Sequence, residues 1–434
     1  MINRTEEERA LIAKAERLFP TQTRCLTFDP ALNFCVGKAK GSHIWDVSGN
    51  EYIDYLLGSG PHVLGHAHPA VLEALRTVPE GGTSHLIINE QAIKLAEKIV
   101  EHIPCAEMVS FHSSGSEATF FAMRLARVYR KRDKILKFEG AYHGMNDYAM
   151  MSNQWTMGSR AYPQAVPNTH GIPHALHDQV LVAPFNDLEA AAAIISRHRD
   201  ELAGVIVEPI QRTFEPKPGF LRGIREVTAN FDIPLIFDEV VTGFRFALGG
   251  AQALCGVVPD LCATGKAISG GLPLGVLCGR RDLMEIANPK RRLQMLPFSM
   301  QTGTFSSNPV CASVALAVIG ELEKPGVYDR LNQVGARLRQ GLRDAIAETG
   351  IEASVTGLPS FFEIWFCEHE PYDHRSSKAS DFYKTVRFSD LLLRQGVLKA
   401  AEKFFISAVH TDEDIAHTLQ AFHVALEQLV KEAP

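Results

Sequence analysis

The stretch Glu107–Tyr129, EMVSFHSSGSEATFFAMRLARVY, joins an apolar run to a helix-like run through a turn made only of serine, glycine and glutamate. EMVSFH (107–112) fits a strand, and ATFFAMRLARVY (118–129) carries apolar residues at helical spacing. The same order recurs along the chain. Strands are expected at 107–112, 134–138 (KILKF), 180–183 (VLVA), 204–207 (GVIV), 234–237 (PLIF) and 274–278 (LGVLC), with helix-like segments between them from about residue 51 to 318. Short apolar runs alternating with helices predict an α/β fold whose mostly parallel sheet is covered on both faces. In such sheets ligands gather at the carboxyl ends of the strands, so chemistry is to be sought in the residues that follow each one.

After EMVSFH, the turn Ser113–Glu117 opens a helix and offers backbone N–H groups at a positive dipole end, which suits a phosphate. Read alone, Ser114 or Ser116 is an ordinary helix cap. After KILKF comes EGAYHG (139–144), an aromatic pair between glycines on a loop. PLIF runs into Asp238 and Glu239, where a carboxylate serves equally well as a cap or as half of a buried ion pair. Lys266 ends PDLCATGK and precedes the glycine cluster of CATGKAISGG (262–271). Singly, a lysine there is a solvated surface residue. Together, a phosphate cradle, a flat aromatic, a carboxylate and a lysine, each after a different strand, are the parts that hold pyridoxal 5'-phosphate (PLP). In that reading Lys266 is the covalent tether to the cofactor aldehyde and, once a substrate amine displaces it, a positioned base. Asp238 keeps the pyridine nitrogen protonated, so the ring accepts electron density when a bond at the substrate carbon breaks.

Composition is consistent with an enzyme acting on small molecules. With 434 residues, 46% hydrophobic and 22% charged, the chain can bury a large core split over two or three structural units. A net charge of -6 and the lack of a basic run give no reason to expect nucleic acid or an anionic membrane as partner. The N-terminus MINRTEEERALIAKAERLF spaces Leu11, Ile12, Ala15, Leu18 and Phe19 as an amphipathic helix, unlike a signal peptide, and no segment is apolar for long enough to span a bilayer. The eight cysteines (25, 35, 105, 255, 262, 278, 311 and 367) are scattered without CxxC pairs, which predicts reduced core thiols, a cytoplasmic location and no metal site.

Longer stretches carry a resemblance. They are WDVSGNEYIDY (45–55), GHAHP (65–69), SSGSEA (113–118), KFEGAYHG (137–144), PFNDLEA (184–190), VIVEPI (205–210), IFDEVVTGFR (236–245), PDLCATGKAISGGLPLG (259–275), GTFSSNP (303–309) and AVHTDEDI (408–415), in order over nearly the whole chain. By them the chain resembles the class III (fold type I) PLP-dependent aminotransferases, and within these it is most similar to the glutamate-1-semialdehyde 2,1-aminomutase subgroup. The resemblance implies a large domain with a mostly parallel seven-stranded sheet between helices, plus a smaller α/β C-terminal domain. The expected division is an N-terminal segment (1–50), a large PLP-binding domain (51–318) and a small domain (319–434). It also implies a homodimer with its active sites at the subunit interface.

Carried over by position, the resemblance implies Lys266 and Asp238 as the catalytic pair. Val240 packs on one ring face and Tyr142, with His143 beside it, on the other. Ser114, Gly115 and Ser116 match the phosphate loop, Thr304 reaches the phosphate of the neighbouring subunit, and Glu208 lies near the cofactor oxygens, with a structural ion pair as its alternative. For substrate it implies Arg24, whose guanidinium suits a carboxylate, together with Ser59 and Glu402. Three stretches depart from the aminomutases. Ser59 stands where they have a tryptophan, which widens the pocket; residues 151–171 lack the glycine-rich pattern of their gating loop; and Gln211-Arg-Thr213 replaces their Val-Gly-Asn. An open pocket suits two half-reactions with product release. The sequence therefore predicts an aminotransferase that moves an amino group from an amino acid or amine to a keto acid or aldehyde by a ping-pong mechanism, its cofactor cycling with pyridoxamine 5'-phosphate. The alternative is an aminomutase-type isomerase acting on one substrate.

Overall fold

A computed structural model describes residues 2–20, 27, 29–154, 160–399 and 403–432. The chain forms two compact units, one of Glu73–Glu323 with Tyr372–His374, the other of Met1–Leu72, Lys324–Pro371 and Arg375–Pro434. The expected boundaries at 50 and 318 differ from this division, for reasons visible in the pairing of strands. In the second unit β1 (Val36–Lys40), β2 (His43–Asp46) and β3 (Glu51–Asp54) pair antiparallel in turn. The strand Val397–Leu398 then adds parallel to β3, so residues on both sides of position 50 share one sheet with the C-terminal part of the chain. The helix Pro309–Leu322, whose buried residues lie nearly all round it, belongs wholly to the first unit, which carries the boundary past 318.

The first helix, Glu6–Leu18, buries charge where an apolar stripe was expected. Leu18 and Phe19 are 63% and 59% exposed, whereas Arg4 and Glu8 are buried. Arg4 pairs with Asp46 and donates to the Tyr52 hydroxyl at 2.9 Å, while Asn50 Nδ2 donates to Asp46 at 2.8 Å. The mutual satisfaction of these groups is what allows a charge to sit there.

The first unit is built on seven strands: β4 (Met108–His112), β5 (Lys134–Phe138), β6 (Val180–Ala183), β7 (Leu202–Val207), β8 (Leu235–Glu239), β9 (Leu261–Thr264) and β10 (Gly275–Gly279). Their order is β4-β10-β9-β8-β7-β5-β6. All pairs among β6, β5, β7, β8 and β9 are parallel, and β10 alone runs against its neighbours β4 and β9. Every residue of β6 to β10 is buried, and these strands read as near-continuous apolar runs except where Asp238 and Glu239 end β8. The expected mostly parallel seven-stranded sheet is therefore present. Its seventh strand, β9, is the apolar run before Lys266, too short to stand out by periodicity. Asp238 and Glu239 end β8 instead of following it.

The helix Gly115–Arg130 starts three residues before the expected Ala118 because a capping box nucleates it. Ser114 Oγ accepts from the Glu117 N–H at 3.2 Å, and the Glu117 carboxylate accepts from the Ser113 N–H at 2.7 Å. The segment 368–380, expected as an exposed loop, contains the short helix His374–Ser377 with His374 buried.

One buried cation organises the chain after β5. Lys137 lies inside the strand, and its Nζ donates to the carbonyls of Ala141, Ala149 and Met151 at 2.9, 3.1 and 2.6 Å. Burial pushes its amine down to about 7, with Glu208 and Asp238 opposing. The three carbonyls call for three N–H donors, which only the ammonium form has. Lys137→Met should leave those carbonyls unsatisfied, costing about 3 kcal/mol at roughly 1 kcal/mol each. Urea unfolding reads the loss, and an unchanged midpoint would show that the 141–151 segment is held by other contacts.

Candidate active site

Because β4, β5, β7, β8 and β9 point the same way, their carboxyl ends bring five loops to one edge of the sheet. Lys266 follows β9 at the start of a single turn, Lys266–Ile268. Its amine is crowded by protein and driven down to about 8, first by burial and then by the positive charge of Arg212, with Arg245 adding and Asp238 and Glu208 opposing. Among the described residues the amine has no hydrogen-bond partner, so it is not spent on structure.

Asp238, at the end of β8, is buried and doubly engaged. Its Oδ1 accepts from the Val240 N–H at 3.1 Å, and its Oδ2 lies 2.8 Å from Nδ1 of the buried His143. A carboxylate only accepts, so the ring proton belongs on Nδ1. His143 Nε2 is buried with no hydrogen-bond partner among the described residues. The histidine expected to touch the cofactor thus faces the carboxylate and fixes its direction.

The loop bearing Tyr142 and His143 is fastened to the helix Gly115–Arg130. Thr119 Oγ1 donates to the His143 carbonyl at 2.6 Å, and the Met145 N–H donates to Ser116 Oγ at 3.2 Å. Gly144 has φ +97°, and a Cβ there would come within 2.5 Å of Ser116 Oγ, so the close approach requires glycine. At Gly115 a Cβ would meet Val240 Cγ1 at 2.7 Å, which couples the helix start to the residue after Asp238. The capping box satisfies Glu117, and the N–H groups of Gly115 and Ser116, in the first turn, have no intrahelical acceptor. Glu208 joins two loops: its Oε1 accepts from the Tyr142 N–H at 2.6 Å and its Oε2 from the Arg212 N–H at 3.0 Å.

Ser114, Gly115, Ser116, Tyr142, His143, Glu208, Asp238, Val240 and Lys266 are thus joined by direct contacts or by their electrostatic action on one another. Thr304 is exposed in the turn ahead of the helix Pro309–Leu322, where its carbonyl accepts from Ser84 Oγ at 3.4 Å. Ser59 belongs to the other unit and lines an apolar cavity of about 440 Å³ with Leu32, Phe34, Ile44, Leu56 and Leu393. Arg24 and Glu402 lie outside the described residues. Sequence reasoning missed Lys137, whose only signal is a charge inside an apolar strand, and Thr119. It also missed that Cys105, Cys262 and Cys278, expected as scattered core thiols, bring their sulfurs within 4.8 Å of one another.

The donor set matches PLP in kind: an amine without a partner, a fixed carboxylate for a ring nitrogen, an aromatic side chain, and free N–H groups at a helix start for a phosphate. A family model described as aminotransferase class-III matches residues 28–426. The chain is 40% identical, over 402 residues and 91% of both chains, to glutamate-1-semialdehyde 2,1-aminomutase 2 of Brevibacillus brevis. Among solved structures it is similar to an omega-transaminase from Sphaerobacter thermophilus, with a TM-score of 0.90 and 33% identity over 98% of each chain. It is also similar to a transaminase with PLP bound, with a TM-score of 0.89 and 30% identity over 99% of each chain. A match of this extent, on a sheet whose loops bring together the amine, the carboxylate and the free N–H groups of a helix start, makes the chain a member of the class III PLP-dependent aminotransferase family, closely related to its glutamate-1-semialdehyde aminomutase subgroup.

Proposed function

We propose that Lys266 and Asp238 are the catalytic pair of a PLP enzyme that moves an amino group, and that its outcome is the shift of that group between neighbouring carbons of one amino aldehyde of the glutamate-1-semialdehyde type. The 40% identity to the Brevibacillus brevis aminomutase over 91% of both chains carries this choice of outcome. When bound, PLP supplies an aldehyde that takes up the substrate amine and a protonated ring that draws electrons from the substrate carbon. The side chains divide the remaining tasks. Asp238 holds the proton on the ring nitrogen, and His143, through Nδ1, keeps the carboxylate aimed. Gly115 and Ser116 N–H groups would receive the phosphate, while Tyr142 and Val240 would bound the ring faces. Lys266 Nζ, free of its tether, would carry a proton from the amine-bearing carbon to the cofactor and then from the cofactor to the neighbouring carbon, with the amino group held on the cofactor as it leaves the first carbon and joins the second.

A second reading, transamination between two substrates, is favoured by Ser59 in place of a tryptophan, by Gln211-Arg-Thr213, and by likeness to the Sphaerobacter thermophilus omega-transaminase. Supplying glutamate-1-semialdehyde alone to the PLP-loaded enzyme separates the two. The mutase outcome predicts many turnovers per site to the amino ketone isomer. A single stoichiometric release of carbonyl product from simple amino donors, with the cofactor left as pyridoxamine phosphate, would establish transamination. In either case the proton-transfer rate should rise with pH through about 8 and then level, because burial sets the Lys266 amine near that value and only its neutral form accepts a proton.

We also infer that two copies assemble through the first unit. Leu86, Ile87 and Ile88 are 70–79% exposed and adjoin Phe305, 66% exposed, through the bonds of Ser84 to Thr304 and of Asn89 Nδ2 to the Ser307 carbonyl at 2.7 Å. Apolar side chains standing in water beside Thr304 are what a second copy would cover. Sedimentation of the native protein should give twice the chain mass, and Ile87→Asp with Ile88→Asp should give monomer with little activity; a fully active native monomer would contradict it.

A further inference from the structure

Cys105, Cys262 and Cys278, far apart in the sequence, meet inside the first unit with their sulfurs all within 4.8 Å of one another. Strand pairing decides two of the positions. β9 and β10 run antiparallel with Cys262 directly opposite Cys278, so the two side chains leave the same face of the sheet. The third sulfur comes from the turn between the helix Glu90–His102 and β4. That turn is tied to the end of β10 by the Glu107 N–H, which donates to the Gly279 carbonyl at 3.0 Å. All three cysteines are buried, but Cys105 lies between the exposed Pro104 and Glu107, so a small ion has a short way in past this turn. Cys278 Sγ donates to the Cys262 carbonyl at 3.7 Å, a weak bond that holds the thiol only loosely. Among the described residues no carboxylate or imidazole joins the group. Glu239 acts electrostatically on Cys262 and Cys278, yet its carboxylate accepts from Thr242 Oγ1 at 2.9 Å and from the Gln252 N–H at 3.2 Å. The Gln252 Oε1 in turn accepts from the Cys105 N–H at 3.1 Å. With these oxygens taken, the cluster presents sulfur alone.

We propose that Cys105, Cys262 and Cys278 form a binding site for one soft monovalent metal ion, Cu(I), independent of the amino-transfer chemistry. Thiolate ligands select Cu(I), zinc or iron–sulfur clusters. Structural zinc is almost always held by four ligands in a tetrahedron, and the clusters likewise draw on four cysteines, whereas this site offers three sulfurs and no fourth donor. Three sulfurs around one ion at a metal–sulfur distance of about 2.3 Å stand about 4 Å apart. Small side-chain rotations therefore suffice to close the group. Binding breaks the S–H bonds of two thiols, forms two copper–sulfur bonds and releases two protons to solvent. The third thiol completes the shell through a sulfur lone pair, and no electron is transferred. The single negative charge that results is spread over polarisable sulfur.

The test titrates the reduced, PLP-loaded protein, in the absence of oxygen, with Cu(I) held by the coloured chelator bicinchoninate. The native protein should withdraw one copper per chain, and X-ray absorption at the copper edge should show sulfur neighbours only. Cys262→Ser and Cys105→Ser should each weaken binding by at least about 10- to 100-fold, since removing a ligand costs no less than disturbing its support. Cys105→Ser changes a turn outside the sheet and serves alone if the strand variant does not fold. Cys35→Ser combined with Cys255→Ser, which removes half-buried thiols outside the cluster, should leave the affinity unchanged. The proposal would be overturned if the native protein took no copper from the chelator, if the bound copper had nitrogen or oxygen neighbours, or if the cluster variants bound as the native protein does. Displacement of the copper by an equal amount of zinc(II) would also overturn it.

Discussion

Lys266 holds an amine where water hydrates it poorly, and the surrounding groups are arranged as that burial demands. An ammonium in such a place loses solvation, so the group drifts toward neutrality, here to about 8. Arg212 and Arg245 push the same way, and Asp238 and Glu208 restrain the drift. The result is an amine poised near neutral pH, useful both for bonding to an aldehyde and for carrying a proton. A surface lysine, held in its charged form, could do neither at a useful rate.

The parallel sheet delivers this arrangement at small cost to the chain. Six strands that share one direction end at one edge, so residues far apart in sequence meet there without long excursions of the backbone. Precision then comes from local fastenings: the capping box at Ser114 and Glu117, Thr119 on the His143 carbonyl, Glu208 across two loops, and Lys137 as an internal post for the segment that carries Tyr142. Each fastening satisfies backbone groups that burial would otherwise leave unpaired. The same bonds that stabilise the loops therefore fix the angles of Asp238 and of the aromatic ring.

Much of this was legible in the sequence, and for identifiable reasons. β5 and β6 were readable to the residue because β6 is wholly apolar and β5 carries Ile135, Leu136 and Phe138 in an otherwise polar surrounding. Asp238 and Ser114–Ser116 stand at the ends of strands that the apolar runs reveal, whereas Lys266 is marked by the glycine cluster that follows it. β9 was hidden because its four residues, Leu261–Thr264, mix Cys, Ala and Thr with a single large apolar side chain, unlike the Val-Leu-Val run of β6. Burial of Arg4 and Glu8 in place of Leu18 and Phe19 was also hidden, since it depends on Asp46 and Tyr52, some forty residues away, closing round the charge. The direction in which His143 faces could not be read either, because it is set by a contact with Asp238 across the sheet edge. Spacing locates residues on elements, whereas partners are decided only when elements meet.

The covalent tether is the claim on which everything else turns. Borohydride reduction of the PLP-loaded protein, followed by proteolysis and mass spectrometry, would fix the cofactor to whichever lysine holds it. The account predicts a pyridoxyl group on Nζ of Lys266 and an unmodified Lys137, whose amine is occupied by three carbonyls. A pyridoxyl group on Lys137 or on any other lysine, with Lys266 unmodified, would contradict it.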